Sequence, residues 1–218
     1  MTLDVTLHYA RLVVRSTALP SVASFHALLH RGFPGQKERA FLFRADRGLE
    51  DEGRFNVVRM LVQSRVRPDW SRVPELLSVE TREATWSLRE GAVFRFFLRA
   101  NTVRDRARPE DIAAAKAAGP FRPLKTHEVA ARSHEDRVAW LTERAARRGF
   151  ALVGEPVTAN TVTRAASSSN GGRARLYGCD FEGHLRVLDP HAFAETLRDG
   201  IGGQRGYGYG LVSIAHPR

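Results

Sequence analysis

The chain has 218 residues, of which 43% are hydrophobic, and its 34 basic and 24 acidic residues give a formal net charge of +10. This length suits one large domain or two of about 100 residues each, and no run approaches the roughly 18 apolar residues that a membrane span requires. The first twelve residues include Asp4, His8 and Arg11, which argues against a signal peptide. The single cysteine, Cys179, excludes an internal disulfide and a thiolate metal cage, and we expect it to be a small core residue. The composition therefore predicts a soluble, cytoplasmic protein.

The positive charge is segregated along the sequence. Three segments, 91–104, 156–179 and 200–218, contain basic residues and no acidic residue. Such a distribution attracts a polyanion, either nucleic acid or an anionic membrane surface. Only three of the 34 basic residues are lysines, however, and an arginine-rich, alanine-rich composition is also typical of a GC-rich genome. The charge by itself leaves both interpretations open.

The first half of the chain shows strand and helix patterns separated by turn residues. Apolar residues alternate in the strand-like runs, and they recur on one face in the helix-like runs. The predicted elements are a strand at 3–15, a helix that starts after Pro20 and Ser21 and ends at Gly32, strands at 40–45 and 55–63 joined by a polar connection at 46–53, a helix at 70–79, and two extended runs within 85–103.

The order of these elements is that of a ferredoxin-like fold, in which a four-stranded antiparallel sheet carries both helices on one face. Residues 105–120 break the pattern with charges, alanines and two prolines, and they are the best candidate for a linker. A second cycle follows, with an extended run at 121–125, a helix at 133–148, strands at 157–163 and 175–188, a helix at 191–198 and a closing strand at 207–215. We therefore predict an α+β protein with two tandem ferredoxin-like domains, at 1–104 and 121–218.

A loop rich in arginine, serine and glycine separates the middle strands of the second cycle. Its sequence, "RAASSSNGGRAR", carries Arg164, Arg173 and Arg175 and has no acidic residue. Its composition predicts a flexible loop. Such a loop can order along phosphates or enter a groove of folded RNA, or it can be a solvated loop without a function.

A second loop, "GIGGQRGYGYG", precedes the closing strand. Gly200, Gly202, Gly208 and Gly210 have the spacing G-x-G-x5-G-x-G, with Arg205 at the centre. The dinucleotide-binding fingerprint is not met, because it needs a strand before the glycines and a helix after them. Glycine permits a positive φ and a close backbone approach, so the turn can line an anion site, or it can let the last strand pass close to a helix.

The histidines offer one pair with helical spacing. His26 and His30 lie four residues apart on the first predicted helix, but no further ligand stands at a matching position, so we predict no metal site. His26 follows Phe25 at the margin of the apolar face, where a structural histidine is the simplest interpretation. Both histidines could instead meet RNA. Nothing in the sequence marks a Ser-His-Asp or Cys-His apparatus.

Several stretches of the chain resemble the CRISPR repeat-processing endoribonucleases of type I-E systems, the CasE (Cse-type) branch of the repeat-associated RNA-binding superfamily. The resemblance covers essentially the whole chain. It is strongest in the glycine-rich loop, where Arg205 and Leu211 also fit the family pattern. The other stretches are "FHALLHRGFP" at 25–34, "MLVQS" at 60–64 with "PDWS" at 68–71, "FRFFLRAN" at 94–101 and "FEGHLRVLDP" at 181–190.

The resemblance implies two tandem ferredoxin-like domains, binding to the stem-loop of a CRISPR repeat, and cleavage at the 3′ base of the stem without a metal or cofactor. The ribose 2′-OH attacks the adjacent phosphorus and leaves a 2′,3′-cyclic phosphate and a 5′-OH. His26 matches the catalytic histidine, and an imidazole accepts or donates a proton at neutral pH. Arg31 is the nearest cation in sequence that could stabilise the developing charge. The resemblance also implies that the glycine-rich loop lies against the side of the first helix, near His26, where Arg205 and the four glycines of the turn help to hold RNA.

The same resemblance implies partners for the protein. Arg164, Arg173 and Arg175 should contact the RNA stem in its deep groove or along its phosphates. The product hairpin should stay bound, which makes the protein a subunit of the surveillance (Cascade) complex beside the backbone subunit nearest the crRNA 3′ hairpin. No membrane is involved.

Two positions depart from the family pattern. Relatives often have a tyrosine one turn before the catalytic histidine, where this chain has Ala23, so a water, Ser24, Tyr207 or Tyr209 would have to take that part. Thr102 stands where proline is usual. Two rival functions stay open: a binding-only protein that caps crRNA without cutting it, and a ferredoxin-like domain that binds a small nucleotide.

Overall fold

A computed structural model describes most of the chain as two four-stranded antiparallel sheets with helices packed on them. None of the described helices is long and apolar enough to cross a membrane. The described residues are 2–15, 22–36, 40–45, 57–106, 109–118, 127–160, 164–167 and 173–217. The helix start signals Pro20 and Ser21, the connection at 46–53 and the extended run at 121–125 lie outside them.

The first sheet has the strand order of a ferredoxin-like fold, β2-β3-β1-β4. The long strand β1 is central and pairs antiparallel with both β3 and β4. The elements of this sheet in chain order are β1 (Thr2–Arg15), α1 (Val22–His30), β2 (Phe41–Ala45), β3 (Val57–Ser64) and β4 (Leu76–Arg89).

The predicted helix at 70–79 is wrong. Only Trp70–Arg72 turn, as a 3-10 helix in which the Asp69 carboxylate accepts a hydrogen bond from the Ser71 N–H. The chain then enters β4 at Leu76, which pairs with Val14 at the far end of β1. This pairing satisfies backbone N–H and C=O groups along the edge of β1, and it outweighs the local helical pattern. Within 2–89, the described residues therefore include one α-helix, α1, rather than the two that were predicted.

The second sheet repeats the same strand order with β12-β5-β11-β8. The predicted fold class, α+β with two tandem ferredoxin-like units, is confirmed. The remaining elements in chain order are β5 (Val93–Asn101), β6 (Val103–Arg106), α2 (Pro109–Ala118), β7 (His127–Ala130), α3 (His134–Ala145), β8 (Phe150–Asn160), β9 (Arg164–Ser167), β10 (Arg173–Leu176), β11 (Gly178–Val187), α4 (Pro190–Asp199) and β12 (Val212–Ala215).

The aromatic strand β5 belongs to the second sheet, so its assignment to a first unit ending at residue 104 is wrong. It pairs with β11 along its whole length and with β12 at its middle. Its alternate residues Phe94, Phe96 and Leu98 are buried in the same core as Trp140 of α3. The chain therefore passes from one sheet to the other at 90–92, where Gly91 has a φ of 80°. The predicted linker at 105–120 contains the end of β6 and all of α2.

The other predicted elements differ from the structure mainly at their ends. The helix at 133–148 is α3 followed by a 3-10 turn, and the helix at 191–198 is α4. The strand predicted at 157–163 overlaps β8, which begins earlier at Phe150, and its last residues, 161–163, lie outside the described residues. The closing strand is confined to β12, because the preceding residues Arg205–Tyr207 form a 3-10 helix.

The two ends of β1 bury opposite faces. Side chains alternate across a strand, so Val5 and Leu7 enter one hydrophobic core whereas Leu12 and Val14 enter another. The first of these cores is shared with the second sheet, and the second core lies under α1. The strand therefore couples the packing of both sheets.

Cys179 is a core residue, as predicted. Its side chain is fully buried on β11, and burial raises the pKa of its thiol to about 12. The thiol therefore stays protonated and unreactive near neutral pH.

Candidate functional site

The helix α1 presents His26 at the edge of its apolar face. Phe25, Leu28 and Leu29 are buried in the core, whereas His26 is half-buried and His30 is exposed. The imidazole stacks on the ring of Phe41 from β2, with 5.2 Å between centroids and 28° between planes. An aromatic platform of this kind restricts the orientation of the ring while leaving part of it accessible.

The glycine-rich turn at 200–210 depends on glycine at both of its ends. Gly200 and Gly210 have φ values of 74° and 89°, a region that favours glycine. A Cβ on Gly200 would lie 2.5 Å from the Gly210 carbonyl oxygen, and a Cβ on Gly210 would lie 2.8 Å from that of Ile201. The two ends therefore approach more closely than any side chain allows, and the Ile201 N–H donates to the Gly210 carbonyl at 2.9 Å.

The middle of the turn packs between the two halves of the molecule. A Cβ on Gly202 would meet the Trp140 ring of α3 at 3.1 Å, and one on Gly208 would meet the Phe43 ring of β2 at 3.2 Å. Of the two interpretations of the glycine spacing, these contacts favour close backbone packing. The same packing brings the turn to the side of α1.

The turn lies beside His26, as the family resemblance implies. The 3-10 segment Arg205–Tyr207 lies against α1, and a Cβ on Gly206 would be 3.9 Å from Cδ2 of His26. Residues separated by 180 positions in the sequence are thus adjacent in the fold. Tyr207, next in the chain, is half-buried, whereas Tyr209 is buried against Leu176.

The Arg205 side chain forms hydrogen bonds to the backbone of the turn and to the end of α4. Its Nε donates to the Gly202 carbonyl at 3.0 Å, and its Nη1 donates to the Asp199 carbonyl at 2.6 Å. The second interaction satisfies an otherwise unpaired carbonyl at the C-terminus of the helix. The remaining Nη2 has no hydrogen-bond acceptor among the described residues, so this edge of the half-buried guanidinium can meet an anion.

Arg31 is engaged elsewhere. Its guanidinium donates to both carboxylate oxygens of Glu75, at 2.9 and 2.7 Å, and to the Arg72 carbonyl. This pairing lowers the pKa of the Glu75 carboxyl group and compensates the charge of Arg31. The structure therefore does not offer Arg31 as an unpaired cation beside His26.

The arginine-rich loop contains a short hairpin beside α1. Strands β9 and β10 pair antiparallel from Arg173↔Ser167 to Leu176↔Arg164. The backbone of β9 lies against α1, and Leu176 packs against the two tyrosines of the glycine turn. The hairpin, the turn and α1 are therefore adjacent. The tip of the loop, 168–172, and the side chains of Arg164, Arg173 and Arg175 lie outside the described part of the structure.

The patterns in the sequence did not identify the residues that support this site. The platform residue Phe41 resembled an ordinary strand residue. Asn101, which ends β5, accepts a hydrogen bond from the Tyr177 N–H at 2.7 Å and bridges to Gly203 of the turn. Thr102 uses an N–H that proline lacks to donate to the Tyr177 carbonyl at 3.0 Å. The sequence holds one sign of the role of Asn101, which is a polar residue at the end of an apolar, strand-like run.

Metal ligands do not cluster in the described residues. No group of three His, Cys, Asp or Glu side chains there has the geometry to hold a metal ion. The pair His26 and His30, with 6.4 Å between ring centroids, has no third ligand in that part of the chain.

Comparisons with known proteins agree on one family. A family model described as "CRISPR associated protein" matches residues 3–216. The chain is 31% identical over 168 residues to the CRISPR-associated endoribonuclease Cse3 of Thermus thermophilus, covering 72% of each chain. It is 26% identical over 193 residues to the CRISPR system Cascade subunit CasE of Escherichia coli, covering 86% of this chain and 90% of that one. A solved structure of Thermus thermophilus Cse3 bound to an RNA representing a pre-cleavage complex matches with a TM-score of 0.73 and 26% identity, over 96% of this chain and 99% of that one.

Proposed function

The chain belongs to the family of CRISPR-associated proteins, whose model matches residues 3–216. We propose that it is an endoribonuclease that processes CRISPR precursor RNA. The protein binds the stem-loop of the repeat and cleaves at the 3′ base of the stem. Two relatives named as a CRISPR endoribonuclease and as a Cascade subunit support this proposal. The observation that carries it in this chain is the position of the glycine turn beside His26: the segment Arg205–Tyr207 lies against α1, and a Cβ built on Gly206 would be 3.9 Å from Cδ2 of His26.

In the proposed reaction, the ribose 2′-oxygen forms a bond to the adjacent phosphorus and loses its proton to a base. The bond from phosphorus to the 5′-oxygen breaks, and that oxygen takes up a proton. The products are a 2′,3′-cyclic phosphate and a 5′-OH. His26 makes one of the two proton transfers, since imidazole exchanges protons near neutral pH, and such a transfer is typically worth about 10²–10⁴-fold in rate.

A second group is needed for the other proton transfer. Ala23 supplies none, and the candidates are Ser24, Tyr207, Tyr209 and water. We favour Tyr207, because it follows Gly206, the residue that meets the imidazole, and because it is only half-buried. Tyr209 is buried in a small apolar cluster instead.

Negative charge develops on the phosphate oxygens during attack and must be stabilised by a cation. We assign this part to Arg205 rather than Arg31, because Arg205 lies in the turn that contacts His26, whereas Arg31 is paired with Glu75. Arg205 is also held by two backbone carbonyls, so its position is set before RNA binds.

RNA binding is assigned to the hairpin and the turn around α1. Arg164, Arg173 and Arg175 contact the stem, and the product hairpin stays bound in the surveillance complex. The reaction needs no metal, because the proton transfers and the charge stabilisation are supplied by side chains. Cleavage should therefore continue at an unchanged rate in excess EDTA, and a loss of cleavage that Mg²⁺ restores would contradict this part.

Replacing the imidazole tests the assignment of His26. We expect His26→Ala to lower the single-turnover cleavage rate of a labelled repeat hairpin by about 10²–10⁴-fold, with hairpin affinity retained. The matched control is His30→Ala, which removes an exposed imidazole one turn away and should leave the rate within about threefold. Equal losses in both variants would contradict the assignment. Hairpin binding without cleavage by the unmodified protein would favour a non-cleaving structural subunit.

A further inference from the structure

A second basic site lies on the opposite face of the first sheet. Side chains alternate along β1, so Leu12 and Val14 face α1 while Tyr9 and Arg11 face away from it. There a cavity of about 330 Å³ opens between the first sheet and the last strand of the second. Arg11, Arg44 and Arg82 line it, with Glu80 as its single acidic residue. Its volume is at the lower end of the range of about 300–1,000 Å³ for ligand pockets.

Two of the three arginines that line this cavity, Arg11 and Arg82, have no carboxylate partner in the described part of the chain. Seven arginines elsewhere in the described chain are paired with carboxylates: Arg31, Arg65, Arg72, Arg99, Arg104, Arg144 and Arg198. Arg11 and Arg82 differ, because no carboxylate among the described residues lies within 4.0 Å of either guanidinium. Glu80 is the strand partner of Arg11, yet it forms no ion pair with it. A lining with two unpaired guanidinium groups favours an anionic ligand.

The lining also provides planar and polar groups for a nucleobase and a sugar. The Arg82 guanidinium lies over the Tyr9 ring at 5.4 Å, and that of Arg44 lies over the Phe97 ring at 4.1 Å. Stacked guanidinium planes are surfaces on which unpaired bases stack. Arg44 also donates to the Ser213 hydroxyl at 3.1 Å, which holds the second of these planes in place.

Tyr9 supplies a directed hydrogen-bond donor. Its hydroxyl accepts from the Trp86 indole N–H at 2.9 Å, so its own hydrogen points away from the indole. The side chain is only 7% exposed, and its O–H meets no acceptor among the described residues. Burial raises the pKa of Tyr9, which keeps the hydroxyl protonated. A buried, unpaired donor at the wall of a basic cavity indicates a polar ligand rather than an apolar one.

We propose that this cavity binds one nucleotide of a single-stranded RNA segment, on the face of the first sheet opposite to His26. The choice of RNA as the ligand rests on the proposed function. The phosphate meets Arg11 and Arg82, and the base stacks against a guanidinium plane. A free mononucleotide offers the same base and phosphate groups to the cavity. A single strand also brings neighbouring phosphates to the basic surface, so we expect it to bind more tightly. A duplex is not accommodated, because its bases are already paired and stacked and cannot enter a cavity of this size.

Binding of an unstructured RNA tests this site. The probe is fluorescein-labelled hexa-adenylate, and its anisotropy is measured with saturating repeat hairpin that carries a 2′-deoxy substitution at the cleavage position, so that the His26 face is occupied. We expect the hexamer to bind under these conditions. The double variant Arg11→Gln/Arg82→Gln should raise its Kd about tenfold or more. The salt dependence of log K should fall by about 0.7, the contribution of one neutralised phosphate in a single strand.

The matched control is Arg89→Gln, which removes an exposed arginine on the same strand as Arg82, about 23 Å away at 3.3 Å per residue. It should change the hexamer Kd by less than twofold. Displacement of the hexamer by the hairpin, or equal losses in variant and control, would overturn the proposal. AMP binding as tightly as the hexamer would also overturn it, in favour of a free-nucleotide site. The double variant should cleave a minimal hairpin at the same rate as the unmodified protein, because the cavity lies away from His26. If the unmodified protein binds the hexamer but does not cleave the hairpin, only the proposed nuclease function is contradicted.

Discussion

Single glycines decide the shape of the turn that meets His26. Gly200, Gly202, Gly208 and Gly210 all have φ values between 74° and 89°. Their neighbours leave no room for a Cβ at the two ends, where the nearest atoms are backbone carbonyl oxygens and cannot move aside easily. Gly203 differs, because it has no positive φ and a Cβ added to it would meet no atom within 4 Å. Gly203 is therefore the control position for substitutions of the other glycines in the turn.

Gly210→Ala should destabilise the protein by at least about 1–3 kcal/mol, since it adds left-handed strain to a 2.8 Å contact with the Ile201 carbonyl oxygen. Urea unfolding measures this change. Cleavage of the repeat hairpin should fall as well, because the displaced turn no longer holds Arg205 beside α1. Gly203→Ala should stay within about 0.5 kcal/mol of the unmodified protein. Equal stability of the two variants would contradict this account of the turn.

Under the proposed function, the hairpin β9–β10 is the element that binds the RNA stem. It lies against α1, its second strand packs on the glycine turn through Leu176, and its sequence carries three arginines without an acidic residue. The second basic surface, in the cavity between the sheets, lies on the other side of the first sheet. The two surfaces should therefore respond to separate substitutions.

Replacing Arg164, Arg173 and Arg175 together by glutamine should weaken hairpin binding and reduce its salt dependence. Each phosphate contact with a duplex contributes about 0.9 to the slope of log K against log salt, so the slope should fall by about 2.7. Anisotropy titrations between low and moderate salt measure it. The control replaces Arg89, Arg147 and Arg186, three exposed arginines, and changes the net charge equally. The same loss of slope in the control would indicate a general charge effect instead.

At the scale of the whole molecule, a few long-range contacts hold the two sheets in one arrangement. Arg99 of β5 donates to both carboxylate oxygens of Asp180, at 2.7 and 2.8 Å, and to the Ala45 carbonyl of β2 at 2.8 Å. Gln63 and Arg65, at the end of β3, contact Leu197 and Asp199 of α4. These contacts place the turn after α4 against the helix that carries His26.

Arg99→Gln should lower the free energy of unfolding by about 2 kcal/mol, because Asp180 is left largely buried without its cation. It should also slow cleavage, since the hydrogen bond from Arg99 of β5 to the Ala45 carbonyl of β2, which joins the two sheets, is lost. The control is Arg198→Gln, which removes an exposed pair with Glu195 and should cost less than about 0.5 kcal/mol. Urea unfolding followed by single-turnover cleavage tests both effects. A neutral Arg99→Gln variant would show that the sheets are held by packing alone.

Local patterns in the sequence were sufficient for much of the molecule. Alternating apolar residues predicted β1, apolar helical spacing predicted α1 and α4, and the glycine spacing together with the family resemblance predicted that residues 200–210 meet His26. These properties reside in neighbouring residues, where backbone preference and side-chain period act directly.

Other features were decided only by tertiary structure. The run at 93–101 reads as a strand in any sheet, and its place beside β11 and β12 depends on partners about 80 to 120 residues away. Residues 76–79 became a strand because an edge of β1 was available to pair with them. Tertiary structure also decides that Arg31 pairs with Glu75, and that Arg11 and Arg82 have no carboxylate partner among the described residues. Pairing between distant strands and charges depends on distances in space, which spacing along a chain does not encode.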